Sequence, residues 1–256
     1  MMKFIHISDL HFHRSQSDNV AKTSLLQFIY ENYPDHKLIV TGDIVDDGDE
    51  EQFNRAYEAL EPFKGRIYIS PGNHDFGAAG NFYSEERAVR FDRKLSIPLG
   101  QGGTFTGDDT PVVNLLMDEF DKVMLIALDT NLETENPFDF ACGQVGERQL
   151  SFLNTVLTDP ALGDRTKILF FHHHPFIHSD PTMKLIDARE LMRTIYKLVD
   201  VLCFGHKHVS GFWENMNGIK YILAADDSPG KEKAREITIM NKVITVTDIK
   251  ISPTAA

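Results

Sequence analysis

Short runs of β-branched, aliphatic and aromatic residues recur along the chain, and each ends in a polar loop. They are 3–7 (KFIHI), 37–42 (KLIVTG), 66–70 (RIYIS), 122–128 (KVMLIAL), 167–172 (KILFFH) and 200–205 (DVLCFG). Apolar runs of this length bounded by turn formers read as buried strands. Between them, 19–32, 50–63, 147–157 and 185–199 carry helical periodicity, so strands and helices alternate as in a layered α/β domain. From Gly218 onward the character changes. The runs IKYILAA, REITIM and KVITVTDIKI predict antiparallel pairing, with Asn241 and Lys242 as a tight turn. Two stretches, 76–111 and 131–145, read as long loops or a partial cap, and loops of this length tend to line binding sites.

Composition narrows the class. With 256 residues, 42% hydrophobic and 25% charged, and no long polar linker, the chain reads as a single domain over 1–256. No apolar run approaches the roughly 18–20 residues needed to span a bilayer, and the opening MMKFIHISDL is too short an apolar stretch for a signal peptide. Two cysteines, Cys142 and Cys203, make no disulfide framework, and Cys203 sits in an apolar run as a buried thiol would, so a cytoplasmic location is expected. A net charge of −12 argues against nucleic acid as a partner. A small phosphorylated metabolite or nucleotide fits better, drawn in by cations in a pocket.

Candidate chemistry follows the strand-like runs. DLH (9–11), GDIVD (42–46), GNHD (72–75), HHHP (172–175) and GHKH (205–208) each begin where an apolar run ends. Strand ends along one sheet edge are where open α/β folds bind their ligands. One Asp or Asn after a strand is ordinarily a turn former. Five such clusters supplying carboxylate, amide and imidazole donors in order are a metal site. Oxygen and imidazole donors without thiolates suit Mn²⁺, Fe or Zn²⁺ better than Ca²⁺ or Mg²⁺.

The ordered set DxH, GDxxD, GNHD, a later His and GHxH resembles the calcineurin-like metallophosphoesterase superfamily over residues 9–208. GQVGERQLSFL (143–153) and HHP (173–175) are similar to the bacterial class III phosphodiesterases, which act on cyclic nucleotides and glycerophosphodiesters. The resemblance implies a four-layer α/β/β/α sandwich. It also implies two transition-metal ions, with Mn or mixed Fe/Mn favoured and Zn compatible. Asp9, His11 and His208 would bind one ion, Asn73, His173 and His206 the second, and Asp43 would bridge them. A metal-bridging hydroxide is then the implied nucleophile.

In that family His74 would act on the leaving-group oxygen as a catalytic residue, and Asp46 would hold one of its ring nitrogens. The ligand of an HHP pattern stands two before the proline, which selects His173, with His172 as the alternative. Three consecutive histidines cannot all face one way on an extended backbone. His174 would contact phosphate or solvent, and Phe176 breaks the family's HHPP. Asp75 reads as a supporting anchor or a cap. His6 reads as a core histidine, His13 and His178 as rim or surface, Asn131 as a turn residue, and 100–103 as a glycine-rich loop. Arg235 and Trp213 carry no motif.

Hydrolysis of a small phosphodiester, a cyclic nucleotide or glycerophosphodiester, is the leading expectation. A phosphomonoesterase is the nearest rival, since the same nucleophile attacks either ester. A nuclease is disfavoured by charge, and a non-catalytic scaffold by the intact ligand set.

Overall fold

The computed structural model describes residues 1–107, 109–134, 136, 138–177, 180–225 and 233–250. His178 and Ile251, the last residue of the final predicted strand, lie outside the described residues. In chain order the elements are β1 (Met2–Ile7), α1 (Val20–Asn32), β2 (Lys37–Thr41), α2 (Glu50–Leu60), β3 (Ile67–Ser70) and α3 (Asn73–Phe76). A two-residue hairpin follows, β4 (Gly77–Ala78) and β5 (Phe82–Tyr83), then α4 (Glu85–Phe91), α5 (Ile97–Leu99), β6 (Val112–Met117) and β7 (Lys122–Ala127). The remainder is α6 (Glu147–Thr158), β8 (Thr166–Phe170), α7 (Ala188–Thr194), β9 (Val201–Phe204), β10 (Gly211–Met216), β11 (Ile219–Ala224), β12 (Lys233–Met240) and β13 (Val243–Lys250).

Two sheets result. One runs β13-β12-β1-β2-β3, with β1, β2 and β3 parallel; the other runs β10-β11-β9-β8-β7-β6, with β11, β9, β8 and β7 parallel. Alternation along β7 explains the layering. Val123, Leu125 and Ala127 join the core shared with the first sheet, while Met124, Ile126 and Leu128 pack with Leu153 and Leu157 of α6 and Leu191 of α7. On the far side of the first sheet, Leu25, Leu26 and Ile29 of α1 and Phe53, Ala56 and Leu60 of α2 close the same core. The order is helix, sheet, sheet, helix, as expected from the sequence. Each fully buried aliphatic or aromatic chain in it contributes about 1.5–3 kcal/mol.

The six apolar runs form strands, and of the tail REITIM and KVITVTDIKI pair antiparallel through a turn in which Asn241 (φ 52°) and Lys242 (φ 62°) are both left-handed, whereas IKYILAA supplies β11 of the other sheet, antiparallel to β10 and parallel to β9. Their amide groups donate to the Asp121 carboxylate at 3.2 and 2.8 Å, which fixes the turn. The helix expected over 185–199 is shorter, since only Ala188–Thr194 is helical before turns take over. The stretch 76–111 is not a loop: it contains the hairpin, α4, a π-helical turn (Asp92–Ser96) and α5. Among the described residues of 131–145 there is no strand or helix beyond isolated bridges at Asn131 and Gly143.

Candidate metal centre

Parallel pairing aligns the carboxyl ends of β1, β2 and β3 in one sheet and of β8 and β9 in the other. The five polar clusters that follow those ends meet between two sheets rather than along one sheet edge, as the His172–Asp43 and His208–Asp9 contacts show. The pairing continues into the loops. The amides of Asp9, His11 and Phe12 donate to the carbonyls of Gly42, Asp43 and Ile44 at 3.1, 2.9 and 2.8 Å, so the first two clusters are held side by side. Asp9, His11, Asp43, His206 and His208 all have positive φ, between 47° and 75°, which for non-glycine residues is costly backbone. Two glycines admit the packed side chains. A Cβ on Gly72 would lie 2.2 Å from Asp43 Oδ1, and one on Gly205 would lie 1.9 Å from Ser8 Oγ and 2.4 Å from Asp9 Oδ2.

Asp9, His11, Asp43 and His208 bring one ligand atom each to within 4.8 Å of one another. His208 Nε2 is 3.3 Å from Asp9 Oδ1 and 3.3 Å from His11 Nε2, and His11 Nε2 is 3.8 Å from Asp43 Oδ2. A second group joins Asp43 to His172 and His206. His172 Nε2 is 3.1 Å from each of Asp43 Oδ2, Asn73 Oδ1 and His206 Nδ1. Asp43 Oδ2 thus faces both groups, while its Oδ1 accepts the His74 amide at 3.0 Å.

The histidine selected on its spacing to Pro175 does not face this group. His173 shares a 2.8 Å hydrogen bond between Nδ1 and the Thr130 hydroxyl, and its buried Nε2 has no partner among the described residues. The reason is the backbone beyond β8: the strand ends at Phe170, and on the bend that follows His172 turns to the Asp43 side and His173 to the Thr130 hydroxyl. His174 is also buried, packed edge-on against Phe204.

Asp46 differs from expectation as well. His74 Nδ1 donates to the Asp46 main-chain carbonyl at 2.7 Å. The Asp46 carboxylate instead lies 3.5 Å from His11 Nδ1 and 3.2 Å from His13 Nδ1. His74 therefore keeps a fixed ring nitrogen, but a peptide oxygen fixes it.

The donor set fits cations. His172 Nδ1 donates to the Thr41 carbonyl at 2.8 Å and His206 Nε2 to the Met183 carbonyl at 3.2 Å, so with a cation keeping both rings neutral the nitrogens facing the centre would be lone pairs. Asn73 donates its Nδ2 to the Gly80 carbonyl at 2.9 Å and turns Oδ1 inward. Two lone-pair nitrogens, an amide oxygen and a carboxylate oxygen within about 3 Å are mutually repulsive without positive charge between them. Burial would lower the pKa of His172, yet the Asp43 carboxylate overrides that and lifts it to about 9. Burial likewise raises the Asp43 carboxyl, and the neighbouring His172 and His74 outweigh it, holding it well below the usual range.

A family model for the calcineurin-like phosphoesterases matches residues 2–210. The chain belongs to that family. It is accordingly a phosphoric ester hydrolase. Members of the family use a dinuclear metal centre, and the His and Asp groups above are its candidate ligands here. The chain is 27% identical over 224 residues to the glycerophosphodiester phosphodiesterase GpdQ of Enterobacter lignolyticus, covering 81% of this chain and 71% of that protein. It is 29% identical over 225 residues to the 3',5'-cyclic adenosine monophosphate phosphodiesterase CpdA of Haemophilus influenzae, covering 81% and 70%. Among solved structures, a dimetal phosphatase from Danio rerio superposes with a TM-score of 0.69 at 15% identity, covering 98% of this chain and 99% of that one. That likeness concerns the fold.

Sequence reasoning reads Asp75 as a supporting anchor or a cap and passes over the main-chain supports of the centre. Asp75 is fully buried and accepts the amides of Val45 and Gly72, both at 2.9 Å, so it ties the GDIVD loop to the GNHD loop. Burial, with Asp43 nearby, lifts its pKa to about 7. The Thr41 and Met183 carbonyls that set the imidazole tautomers are main-chain groups, invisible to side-chain motifs. Their only signal is position, for Thr41 the residue before GDIVD.

Proposed function

We propose that the chain hydrolyses a small phosphodiester, with Asp9, His11 and His208 holding one transition-metal ion, Asn73, His172 and His206 a second, and Asp43 shared by both. One observation carries this: Asp43 Oδ2 lies 3.1 Å from His172 Nε2 and 3.8 Å from His11 Nε2, between the two sets of donors. Two such ions neutralise phosphate charge and acidify water enough to attack near neutral pH. Mn or a mixed Fe/Mn pair is the metal content that best matches this oxygen and imidazole set.

The protein's own groups do the rest. His11 and His208 turn Nε2, and His206 its Nδ1, toward the centre, and the main-chain bonds of His172 and His206 keep their tautomers fixed. His74, with Nδ1 committed to the Asp46 carbonyl, has Nε2 left to protonate the departing alkoxide. Relatives named for glycerophosphodiester and cyclic-nucleotide hydrolysis support a diester over a monoester. We extend the reading to the cytoplasm, since Cys142 and Cys203 are both free and buried. Among the described residues no helix is long and apolar enough to cross a membrane.

The test is turnover of bis(p-nitrophenyl) phosphate by protein loaded with Mn²⁺, alongside p-nitrophenyl phosphate. The expected result is a higher kcat/KM for the diester. A monoester preference would transfer the assignment to a phosphomonoesterase, and silence with every transition metal would defeat both.

A further inference from the structure

The candidate ligands come from two sheets. Asp9, His11, Asp43 and Asn73 follow strands of the first, and His172, His206 and His208 follow strands of the second. The Asp9 carboxylate is where the GHKH loop meets the first sheet: it accepts the His206 amide at 3.2 Å and stands 3.3 Å from His208 Nε2. A centre assembled in this way needs the two sheets held at a set distance beside that loop.

Arg235, which belongs to no motif, spans the sheets there. It is buried in β12 and stands opposite His6 of β1, three residues before Asp9. Its Nη2 donates to the Ser210 hydroxyl at 2.7 Å, two residues after His208, and its Nη1 to the carbonyl of Ala224, the last residue of β11, at 2.6 Å. The next amide, of Ala225, donates to the Phe204 carbonyl at 2.9 Å, which ties that corner to the strand end from which GHKH leaves. On its own sheet, Asp248 Oδ1 of β13 lies 3.3 Å from Nε and offsets the charge. A guanidinium is suited to this, because its rigid fork serves acceptors on different elements at once. Stability alone is a poor reason for it: a buried ionic group is often replaced by an apolar one of similar volume at no cost.

We infer that Arg235 is a positioning residue for the ion held by Asp9, His11 and His208. By fastening Ser210 and Ala224 of the second sheet to β12 of the first, it sets the distance at which His208 meets Asp9. This rests on the two-metal reading above and adds a residue outside every ligand loop.

Mn²⁺ titration of metal-free full-length protein, followed by electron paramagnetic resonance, reads both sites without reference to turnover. The unaltered protein is expected to take up two ions and give the signal of a coupled pair. Arg235→Met keeps the bulk of the side chain and removes its donors. It is expected to bind one of the two ions about 10- to 100-fold more weakly, as loss of a partner behind a ligand does. With a single ion bound, its signal should match that of His208→Ala. Arg235→Lys, which keeps the charge but not the fork, should fall between. Ser210→Ala should weaken the same ion less, and combining it with Arg235→Met should add nothing, since both remove one bond. Leu157→Ala, a cavity in the core beneath α6, lowers stability far from the loop and should leave both ions bound. An ion lost from Leu157→Ala as well would trace the Arg235→Met effect to general loosening and overturn the inference. Unchanged affinity in Arg235→Met, or full additivity with Ser210→Ala, overturns it too. Fewer than two ions in the unaltered protein overturns the two-metal reading itself, and this inference with it.

Discussion

His172 Nε2 stands 3.1 Å from Asp43 Oδ2, while the next residue, His173, turns its ring to the Thr130 hydroxyl. Adjacent side chains just beyond β8 are thereby divided between the metal centre and the wall behind it.

The first prediction concerns that division. His172→Ala is expected to lose one of two bound metals and at least about 100-fold in kcat/KM, because it removes a donor to the centre. His173→Ala is expected to keep both metals. Metal analysis of the dialysed proteins checks it, and two metals retained by His172→Ala with one lost by His173→Ala would reverse the assignment.

Asp46 and His74 make separable contributions. Asp46→Asn removes charge beside His11 Nδ1 but keeps the main-chain carbonyl that holds His74. It is expected to weaken metal binding by about 10- to 100-fold without changing how the rate depends on leaving-group pKa. His74→Ala is expected to slow esters of poor leaving groups by about 10² to 10⁴ and activated aryl esters far less. A leaving-group series on both variants decides, and a steepened dependence in Asp46→Asn would return Asp46 to the role of His74's orienter.

Close backbone approach gives a third prediction. Gly205→Ala drives a Cβ into Ser8 and Asp9, so it should disturb Asp9 and abolish stoichiometric metal binding. Gly65→Ala has nothing within 4 Å of the new Cβ and only its φ of 75° to strain, so it should cost about 1 kcal/mol and leave both metals bound. Denaturant midpoints and metal content together check the pair; full metal in Gly205→Ala would refute the packing argument.

Much of this was legible in the chain. The strands whose both faces are buried, such as β7 and β9, announce themselves as continuous apolar runs, and the ligand loops follow them. Edge strands do not: β10 has no buried position and carries Glu214 and Asn215, and β6 mixes half-buried positions without clean alternation. The helices within 76–111 hid behind charge, since EERAVRF buries only Ala88 and Phe91. At the centre, motif spacing identified the loops but not which of three histidines turns inward. Nor did it show that Asp46 acts on His74 through its peptide oxygen, because both depend on local backbone direction.

The last prediction concerns His6, buried in β1 with Nε2 hydrogen-bonded to the Thr41 hydroxyl at 3.0 Å. Burial first, then the Arg235 charge, lowers its pKa from 6.5 to about 3, with Asp9 opposing. The folded chain therefore keeps His6 neutral at a pH where the unfolded chain protonates it. Its stabilising effect is complete above about pH 6.5 and is lost as pH falls from there toward 3, by at most about 1.4 kcal/mol per pH unit. His6→Gln keeps a polar partner for Thr41 and cannot titrate. Between pH 7 and pH 5 the unaltered protein should lose about 2 kcal/mol more than His6→Gln, measured as the difference in urea unfolding free energy. Equal losses in the two proteins would mean that His6 takes up its proton in the fold as readily as in the open chain, and that the buried neutral histidine beneath the metal centre is not a source of acid sensitivity.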